Sequence, residues 1–224
     1  MKKAQMKIEN LYDLSHTLTA EYLSRYEFPW EALEGISDFL ITLGQELSEE
    51  FEKRGENIWI HKTAKVADSA SLCGPLIICK DAEVRHCAFI RGSALVGEGA
   101  VVGNSTELKN VILFDKVQVP HYNYVGDSIL GYKAHMGAGS ITSNVKSDKL
   151  PVSIHGEDGE IETGRKKVGA LVGDNVEVGC GSILNPGSVI GRDCNIYPLS
   201  SVRGCVNEKS IYKSRGEVAK KHAE

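Results

Sequence analysis

The chain has 224 residues, of which 42% are hydrophobic and 25% are charged, and its formal net charge is −4. This composition is typical of a globular protein and lacks the basic excess that marks nucleic-acid-binding domains. No run of about 18 uncharged apolar residues occurs, so no membrane-spanning helix is expected. The N-terminus has no apolar run of the secretory type, which predicts a cytoplasmic protein. The 23 glycines against 6 prolines predict many regular tight turns.

The composition changes along the chain. Residues 1–57 hold 3 of the 23 glycines and carry 12 acidic against 6 basic side chains. We therefore expect an N-terminal segment over 1–57, a main domain over 58–215 and a C-terminal tail over 216–224. The six cysteines form no CxxC pair, which favours free thiols over disulfides or a zinc finger.

The N-terminal segment is predicted to be a helical hairpin. Its second helix is expected to begin at Phe28-Pro29 and to end at Gly55, because proline suits a first turn and glycine a C-cap. Its apolar residues recur at steps of three and four, as on one face of an α-helix: Trp30, Leu33, Ile36, Leu40, Leu43, Leu47 and Phe51. A first helix is expected over 12–25, with its buried side formed by Leu14, Leu18 and Leu23.

The main domain repeats every six residues. From residue 60 onwards, every sixth position is aliphatic: Ile60, Val66, Leu72, Ile78, Val84, Ile90, Val96, Val102 and Leu108. The same period returns between Val172 and Val202. Neither an α-helix nor a single strand has this period, but a short strand followed by a turn does, and three such units close a coil of about 18 residues. The fold class predicted is an all-β solenoid of stacked parallel coils with the helical hairpin attached.

Two breaks in the repeat are candidate functional regions. The register slips over 104–125, and the segment 143–167 contains no hexad. Insertions that leave a regular scaffold often bind ligands. The lysines of this insertion and Arg165 suit an anionic ligand, although a solvated loop fits the sequence equally well.

Four segments carry a family resemblance: IRGSALVG (90–97), GNSTELKN (103–110), PHYNYVGDS (120–128) and GAGSITSN (137–144). With the hexads, they resemble the acetyltransferase domain of the bifunctional sugar-1-phosphate nucleotidyltransferase/glucosamine-1-phosphate N-acetyltransferase enzymes, over about 58–215. The resemblance implies a left-handed β-helix, a homotrimer and transfer of an acetyl group from acetyl-CoA to an amino-sugar 1-phosphate. No glycine-rich nucleotidyltransferase loop precedes the hexads, so no nucleotidyl transfer is expected.

The resemblance also implies roles for individual residues. The histidine of PHxxYxGD, here His121, is expected to be the general base that takes a proton from the acceptor amine. Acceptor binding is expected of Arg91, Lys109, Tyr124 and Asn144, and acetyl-CoA binding of His135, Gly179, Cys180, Tyr197, Pro198 and Arg215. No metal is required for acetyl transfer.

The chemistry of these residues agrees with such roles. An imidazole ordinarily titrates near pH 6.5, so it can accept a proton at neutral pH. The N–H groups of Gly137-Ala138-Gly139 could stabilise a tetrahedral intermediate. Three positions depart from the family: His135 replaces an asparagine, Cys180 a small hydroxyl residue and Pro198 an alanine.

Two other functions stay open at this point. A catalytically silent assembly or regulatory module is one, because the nucleotidyltransferase domain is absent and the channel residues are altered. The other is a zinc enzyme of the γ-carbonic anhydrase kind, which needs three converging histidines. The chain has no histidine pair with the spacing typical of that class.

Overall fold

A solenoid with three flat faces forms most of the computed structural model, which describes residues 1–213 and 218–220. The strands of its first half are β1 Phe51–Gly55, β2 Ile58–His61, β3 Lys65–Val66, β4 Ser71–Leu72, β5 Leu76–Ile78, β6 Glu83–Val84, β7 Phe89–Ile90, β8 Ala94–Val96, β9 Val101–Asn104, β10 Glu107–Leu113, β11 Gln118–His121 and β12 Tyr124–Leu130. Those of its second half are β13 His135–Met136, β14 Ile141–Thr142, β15 Ser153–Gly156, β16 Gly159–Glu162, β17 Ala170–Val172, β18 Glu177–Val178, β19 Ile183–Leu184, β20 Ser188–Ile190, β21 Asn195–Ile196, β22 Ser201–Val202, β23 Cys205–Val206, β24 Ser210–Tyr212 and β25 Val218–Lys220.

Each face is a ladder of parallel strands from successive coils. Face 1 contains β2, β5, β8, β17, β20, β23 and the second halves of β10 and β12. Face 2 runs from β3 through β6, β9, β11, β13, β18 and β21 to β24. Face 3 contains β4, β7, β14, β19, β22 and the first halves of β10 and β12. This arrangement confirms the predicted parallel β-solenoid.

The predicted hexad aliphatics fill the interior. Ile78, Ile90, Val96, Val102 and Leu108 are fully buried, and two of the first hexad residues, Val66 and Leu72, pack against the same core while partly exposed. A strand that alternates inward and outward side chains explains the period, because each short strand contributes one inward aliphatic and then turns.

The outward side of face 1 is also apolar, unlike that of face 2. Its outward side chains are fully buried: Ile77, Leu95, Ile112, Ile129, Leu171 and Val189. At the matching positions of face 2 stand polar residues such as Glu83, Gln118 and Glu177. An aliphatic side chain removed from water contributes roughly 1.5–3 kcal/mol, so a cover over face 1 is strongly stabilising.

The N-terminal segment provides this cover and runs from the late coils to the early ones. Leu11 accepts a hydrogen bond through its carbonyl from Asp174 N–H (3.1 Å) and His16 from Asp115 N–H (3.0 Å). Further along, helix α3 (Ile36–Glu46) packs on β5, β8 and β10. The segment and the solenoid thus share one hydrophobic core.

The prediction of a two-helix hairpin is wrong, because the helices of this segment are shorter than expected. Between residues 12 and 25 the only α-helix is α2 (Ala20–Leu23), after α1 (Ile8–Leu11). Short 3-10 turns lie at Lys3–Met6, Leu14–His16 and Glu31–Leu33. The chain is extended or turned here because its main-chain groups bind the solenoid, which a continuous helix would prevent. Phe51, expected on the second helix, begins β1, which pairs antiparallel with β2, so the sheet starts within residues 1–57.

Two other segments differ from the expected loops. In the insertion 143–167, β15 and β16 form an antiparallel hairpin, and Val152 and Ile154 are buried. In the tail, β25 pairs antiparallel with β24. Over residues 1–213 and 218–220, no helix combines the length and the apolar character that crossing a bilayer requires.

Gly44 of α3 tests the docking of the N-terminal segment. A Cβ at Gly44 would lie 2.4 Å from ring atoms of Trp59. Glycine to alanine inside a helix ordinarily stabilises by about 1 kcal/mol, but this overlap costs about 1–3 kcal/mol. The balance is a net loss of roughly 0–2 kcal/mol, and because the contact is with a rigid indole ring we expect Gly44→Ala to lower the free energy of unfolding in urea by about 1–2 kcal/mol. The exposed neighbour is the control: Gln45→Ala should change it by less than about 0.5 kcal/mol. A Gly44→Ala variant as stable as the wild type would contradict this packing.

Candidate functional site

His121 lies at the corner where face 2 turns into face 3, which we call the histidine corner. Main-chain hydrogen bonds link successive coils there: Ser105 N–H donates to His86 C=O (3.1 Å) and Gly139 N–H to His121 C=O (3.0 Å). Tyr122 takes a left-handed φ of 51° to make the turn. The His121 side chain is exposed, and its imidazole makes no hydrogen bond with any residue of 1–213 or 218–220. The ring is therefore available to a ligand.

Asn123 fixes this turn from inside. The side chain is 3% exposed, and its Oδ1 accepts a hydrogen bond from His121 N–H (3.1 Å). Its Nδ2 donates to the carbonyls of Gly137 (2.9 Å) and Ser140 (3.0 Å) in the next coil. Asn123 thus joins PHYNY to GAGS and holds the His121 backbone above the glycine-rich turn.

The predicted acetyl-CoA residues Gly179, Cys180 and Pro198 continue the histidine corner. A Cβ on Gly137 would lie 2.7 Å from Cys180 N, and one on Gly179 would lie 2.4 Å from Pro198 N. Only glycine allows coils to approach this closely. At a spacing of about 4.8 Å per coil, Cys180 is roughly 10 Å and Pro198 roughly 14 Å from His121 along the corner. Cys180 is exposed, and Tyr197 is 45% exposed beside it.

The predicted oxyanion donors are only partly available. Gly137 N–H donates to Val178 C=O (2.7 Å) and Gly139 N–H to His121 C=O (3.0 Å). Both belong to the coil-to-coil ladder, which corrects the prediction for these two groups. The N–H of Ala138 makes no main-chain hydrogen bond within the described part of the chain. Ala138 is therefore the member of this turn that can donate to a ligand.

Three of the predicted acceptor-binding residues, Arg91, Lys109 and Asn144, lie at the other end of face 3, and the hydroxyl of Tyr124 reaches Asn144 there. Arg91 Nη1 lies 2.8 Å from Glu107 Oε1, and this hydrogen bond raises the pKa of Arg91. Lys109 Nζ lies 2.9 Å from Asp127 Oδ1. Each predicted cation therefore has a carboxylate that fixes its position.

Asp127 is the centre of this cluster, at the corner where face 3 turns into face 1, which we call the Asp127 corner. Its side chain is 3% exposed and binds Lys109. It also accepts hydrogen bonds from Asn110 Nδ2 (3.0 Å) and Asn144 Nδ2 (2.6 Å). Asn144 Nδ2 lies 3.2 Å from the hydroxyl of Tyr124. Burial raises the pKa of Tyr124, so its phenol keeps its proton at neutral pH.

Sequence reasoning did not single out Asp127, Glu107 or Asn123. Asp127 stands in the quoted PHYNYVGDS block, and only the stacking of coils brings it under Lys109. Glu107 reaches Arg91 across adjacent coils, since Glu107 pairs with Phe89 in register. The signal that could have identified Asp127 and Glu107 is a carboxylate that follows a cation by about one coil of sequence.

Two predicted cofactor residues lie elsewhere. His135 is on face 2, in register with Gln118, and its Nδ1 lies 2.7 Å from Glu177 Oε2. In its coil, His135 lies three residues before Ala138, which is the residue stacked on His121. The structure therefore does not bring His135 to His121. Arg215 lies outside the described residues. Among the described residues, no three His, Cys, Asp or Glu side chains are grouped to hold a metal ion.

Comparisons with known proteins agree with the predicted resemblance. A family model described as the GMPPB C-terminal domain matches residues 72–166. The "Bifunctional protein GlmU" of Methanococcus maripaludis strain C5 is 34% identical over 193 residues, which cover 85% of this chain and 47% of that protein. The "Bifunctional sugar-1-phosphate nucleotidylyltransferase/acetyltransferase" of Sulfurisphaera tokodaii is 28% identical over 174 residues, 70% of this chain and 43% of that protein. The chain thus spans less than half of either relative.

One solved structure is also similar to this chain. The hexapeptide transferase family protein from Anaplasma phagocytophilum is 16% identical, with a TM-score of 0.47, and the match covers 75% of this chain and 80% of that one.

Asp127→Asn tests the central role of Asp127. The amide would place an N–H group among the donors Lys109, Asn110 and Asn144, and would leave the Lys109 ammonium without its buried partner. Removing one partner of a buried pair costs about 3–5 kcal/mol, and less where the cation is partly exposed, so we expect a loss of about 2–3 kcal/mol. Asp68→Asn, at an exposed turn, should change stability by less than about 0.5 kcal/mol. Equal urea midpoints for the two variants would exclude the proposed network.

Proposed function

We propose that the chain is an acyltransferase that moves an acetyl group from acetyl-CoA to the amine of an amino-sugar 1-phosphate, with His121 as general base. The observation that carries the proposal is the placement of two kinds of side chain at the two ends of face 3. An unengaged imidazole stands beside a column of close-packed coils, and a cluster of cations stands at the far end of the adjoining face.

The histidine corner suits the thioester. The pantetheine arm of CoA is long and thin, and the small residues around Gly179 leave room for it over successive coils. The neutral acceptor amine attacks the thioester carbonyl, and His121 accepts the proton that the attacking nitrogen gives up. The Ala138 N–H stabilises the oxyanion of the tetrahedral intermediate. Collapse of the intermediate breaks the C–S bond, and the CoA sulfur leaves with the proton returned by His121.

The Asp127 corner suits the phosphate. Arg91 has five N–H donors, so it can hold Glu107 and still donate to a phosphate oxygen. Lys109 gives its hydrogen bonds to Asp127 and keeps its positive charge at the edge of the cavity. Tyr124 follows His121 in the same coil, and Lys109 lies in the preceding coil, in register with Gly126. The Tyr124 hydroxyl can donate its hydrogen to a sugar oxygen.

The proposal includes a homotrimer in which a second copy covers the histidine corner. Two large apolar side chains of the histidine corner are unusually exposed to solvent: Tyr122 is 63% exposed and Leu199 is 80% exposed. They belong to one column of this corner, with Gly139 and Gly181 between them, and exposed large apolar side chains along one edge are typical of an interface. Sedimentation equilibrium should give three chains per particle, whereas a monomer at micromolar concentration would contradict this part of the proposal.

His121→Ala tests the catalytic proposal. Loss of a general base ordinarily lowers the rate by a factor of about 100–10,000. We expect a fall of this size in kcat for thiol release from acetyl-CoA with glucosamine 1-phosphate. His155→Ala, which removes an exposed histidine of the insertion, should leave kcat within about twofold. Undiminished turnover in His121→Ala would refute the mechanism, and a wild type without thiol release or CoA binding would favour the assembly module.

The exposed thiols test the position of CoA. Cys73, Cys87 and Cys180 are all exposed, but only Cys180 lies on the proposed CoA path. Saturating acetyl-CoA should therefore slow alkylation of Cys180 by iodoacetamide at least fivefold and leave Cys73 and Cys87 unchanged, as measured by peptide mass spectrometry. Equal protection of all three thiols, or none, would place CoA elsewhere.

A further inference from the structure

A cavity of about 540 Å³ opens at the Asp127 corner, between three separate parts of the chain. The solenoid contributes Lys109 and Asp127, the N-terminal segment contributes Glu34 and Ser37, and the insertion contributes Arg165. The insertion begins and ends at this corner, since Asn144 C=O accepts a hydrogen bond from Val168 N–H (3.1 Å). The size lies within the range of small-molecule sites.

The charges at this cavity are unbalanced. Four basic side chains line it against two acidic ones. Asp127 is already bound by Lys109, Asn110 and Asn144. Lys166 and Lys167 are exposed and pair with no carboxylate of residues 1–213 or 218–220. The remaining positive charge favours an anionic ligand.

Arg165 is the best placed of these cations. Its side chain is 22% exposed, and Nη1 lies 3.0 Å from Glu34 Oε2 of the N-terminal segment. Its Nε is buried and has no hydrogen-bond partner in the described part of the chain. An unpaired buried donor is costly, and a phosphate oxygen is the acceptor that a guanidinium binds best.

The Glu34–Arg165 contact contributes little to folding by itself. The Glu34 carboxylate is 87% exposed, and exposed ion pairs ordinarily contribute about 0–1 kcal/mol. The contact does fix the guanidinium beside the cavity that Lys109 lines. Arg165 also lines the cavity, and the guanidinium N–H groups that Glu34 does not engage can take a further ligand there.

We propose that Arg165 binds the phosphate of the acceptor together with Lys109, and that Glu34 is a positioning residue that holds Arg165 there. This inference rests on the proposed function and adds to it. The N-terminal segment and the insertion, which lie outside the hexad scaffold, complete the acceptor pocket within one chain.

Steady-state kinetics with glucosamine 1-phosphate and acetyl-CoA test both roles. We expect Arg165→Gln to raise KM for the phosphosugar about tenfold or more, because a charge-assisted hydrogen bond is lost. KM for acetyl-CoA should stay unchanged. Glu34→Gln should raise the phosphosugar KM about two- to fivefold, and should add nothing in the Arg165→Gln background, because it acts only through Arg165.

Two controls separate binding from folding. Lys149→Gln removes a charge of the insertion that does not line the cavity, and it should leave both KM values within about twofold. Unphosphorylated glucosamine as acceptor should show equal kcat/KM in the wild type and Arg165→Gln. Equal losses with both acceptors would overturn the phosphate assignment, as would a double variant in which the two losses multiply.

Calorimetry with inorganic phosphate separates this inference from the proposed function, because it needs no turnover. The full wild-type chain should bind phosphate at least tenfold more tightly than Arg165→Gln. If phosphate binds in this way but no thiol is released with any acceptor, the proposed function fails and the Arg165 site stands. If the wild type does not bind phosphate, or both proteins bind it equally, the Arg165 site is refuted.

Discussion

The hydrogen bonds between successive coils determine where every candidate side chain lies. Because each coil pairs in register with the next, a residue at one corner has its counterparts directly above and below it at that corner. His121, Ala138 and Cys180 are such counterparts, and each accepts a main-chain hydrogen bond from the following coil. The residues with left-handed φ at these corners keep the spacing between coils constant. Side chains far apart in sequence therefore form two continuous edges, one for each half of the proposed reaction.

The N-terminal segment matters because the solenoid alone leaves face 1 apolar on both sides. Strands such as β5 and β8 carry aliphatic residues inward and outward, so the face needs a cover. Once the segment lies along it, Glu34 reaches the Asp127 corner, and Asn110 Nδ2 donates to Leu33 C=O (3.0 Å). The same docking that buries the apolar face thus brings new polar groups to the acceptor cavity.

The repeat could be predicted from sequence because one aliphatic per short strand leaves a strict period. The N-terminal segment could not be, because its apolar spacing fits a helix while its backbone is used to bind the solenoid. Leu33 and Phe51 show this, since they keep the helical spacing but lie in a 3-10 turn and a strand. The family blocks identify His121, Lys109 and Tyr124 as candidates, and their roles stay predictions. The role of Asp127 was not predictable, because it depends on which side chains the stacking places together.

The two corners differ in what their geometry permits. At the histidine corner, glycines such as Gly137 and Gly179 leave no room for a Cβ, so the surface consists largely of main chain. Such a surface offers shape and N–H groups to the chain-like thioester of the proposed reaction. At the Asp127 corner, asparagine and aspartate adopt the left-handed turn, as Asn110 and Asp127 do with φ of 55° and 47°. Their side chains can therefore organise charge. In the proposed reaction, selection among acceptors belongs to this second corner, where Arg165 of the insertion and Glu34 of the N-terminal segment line one cavity with Lys109.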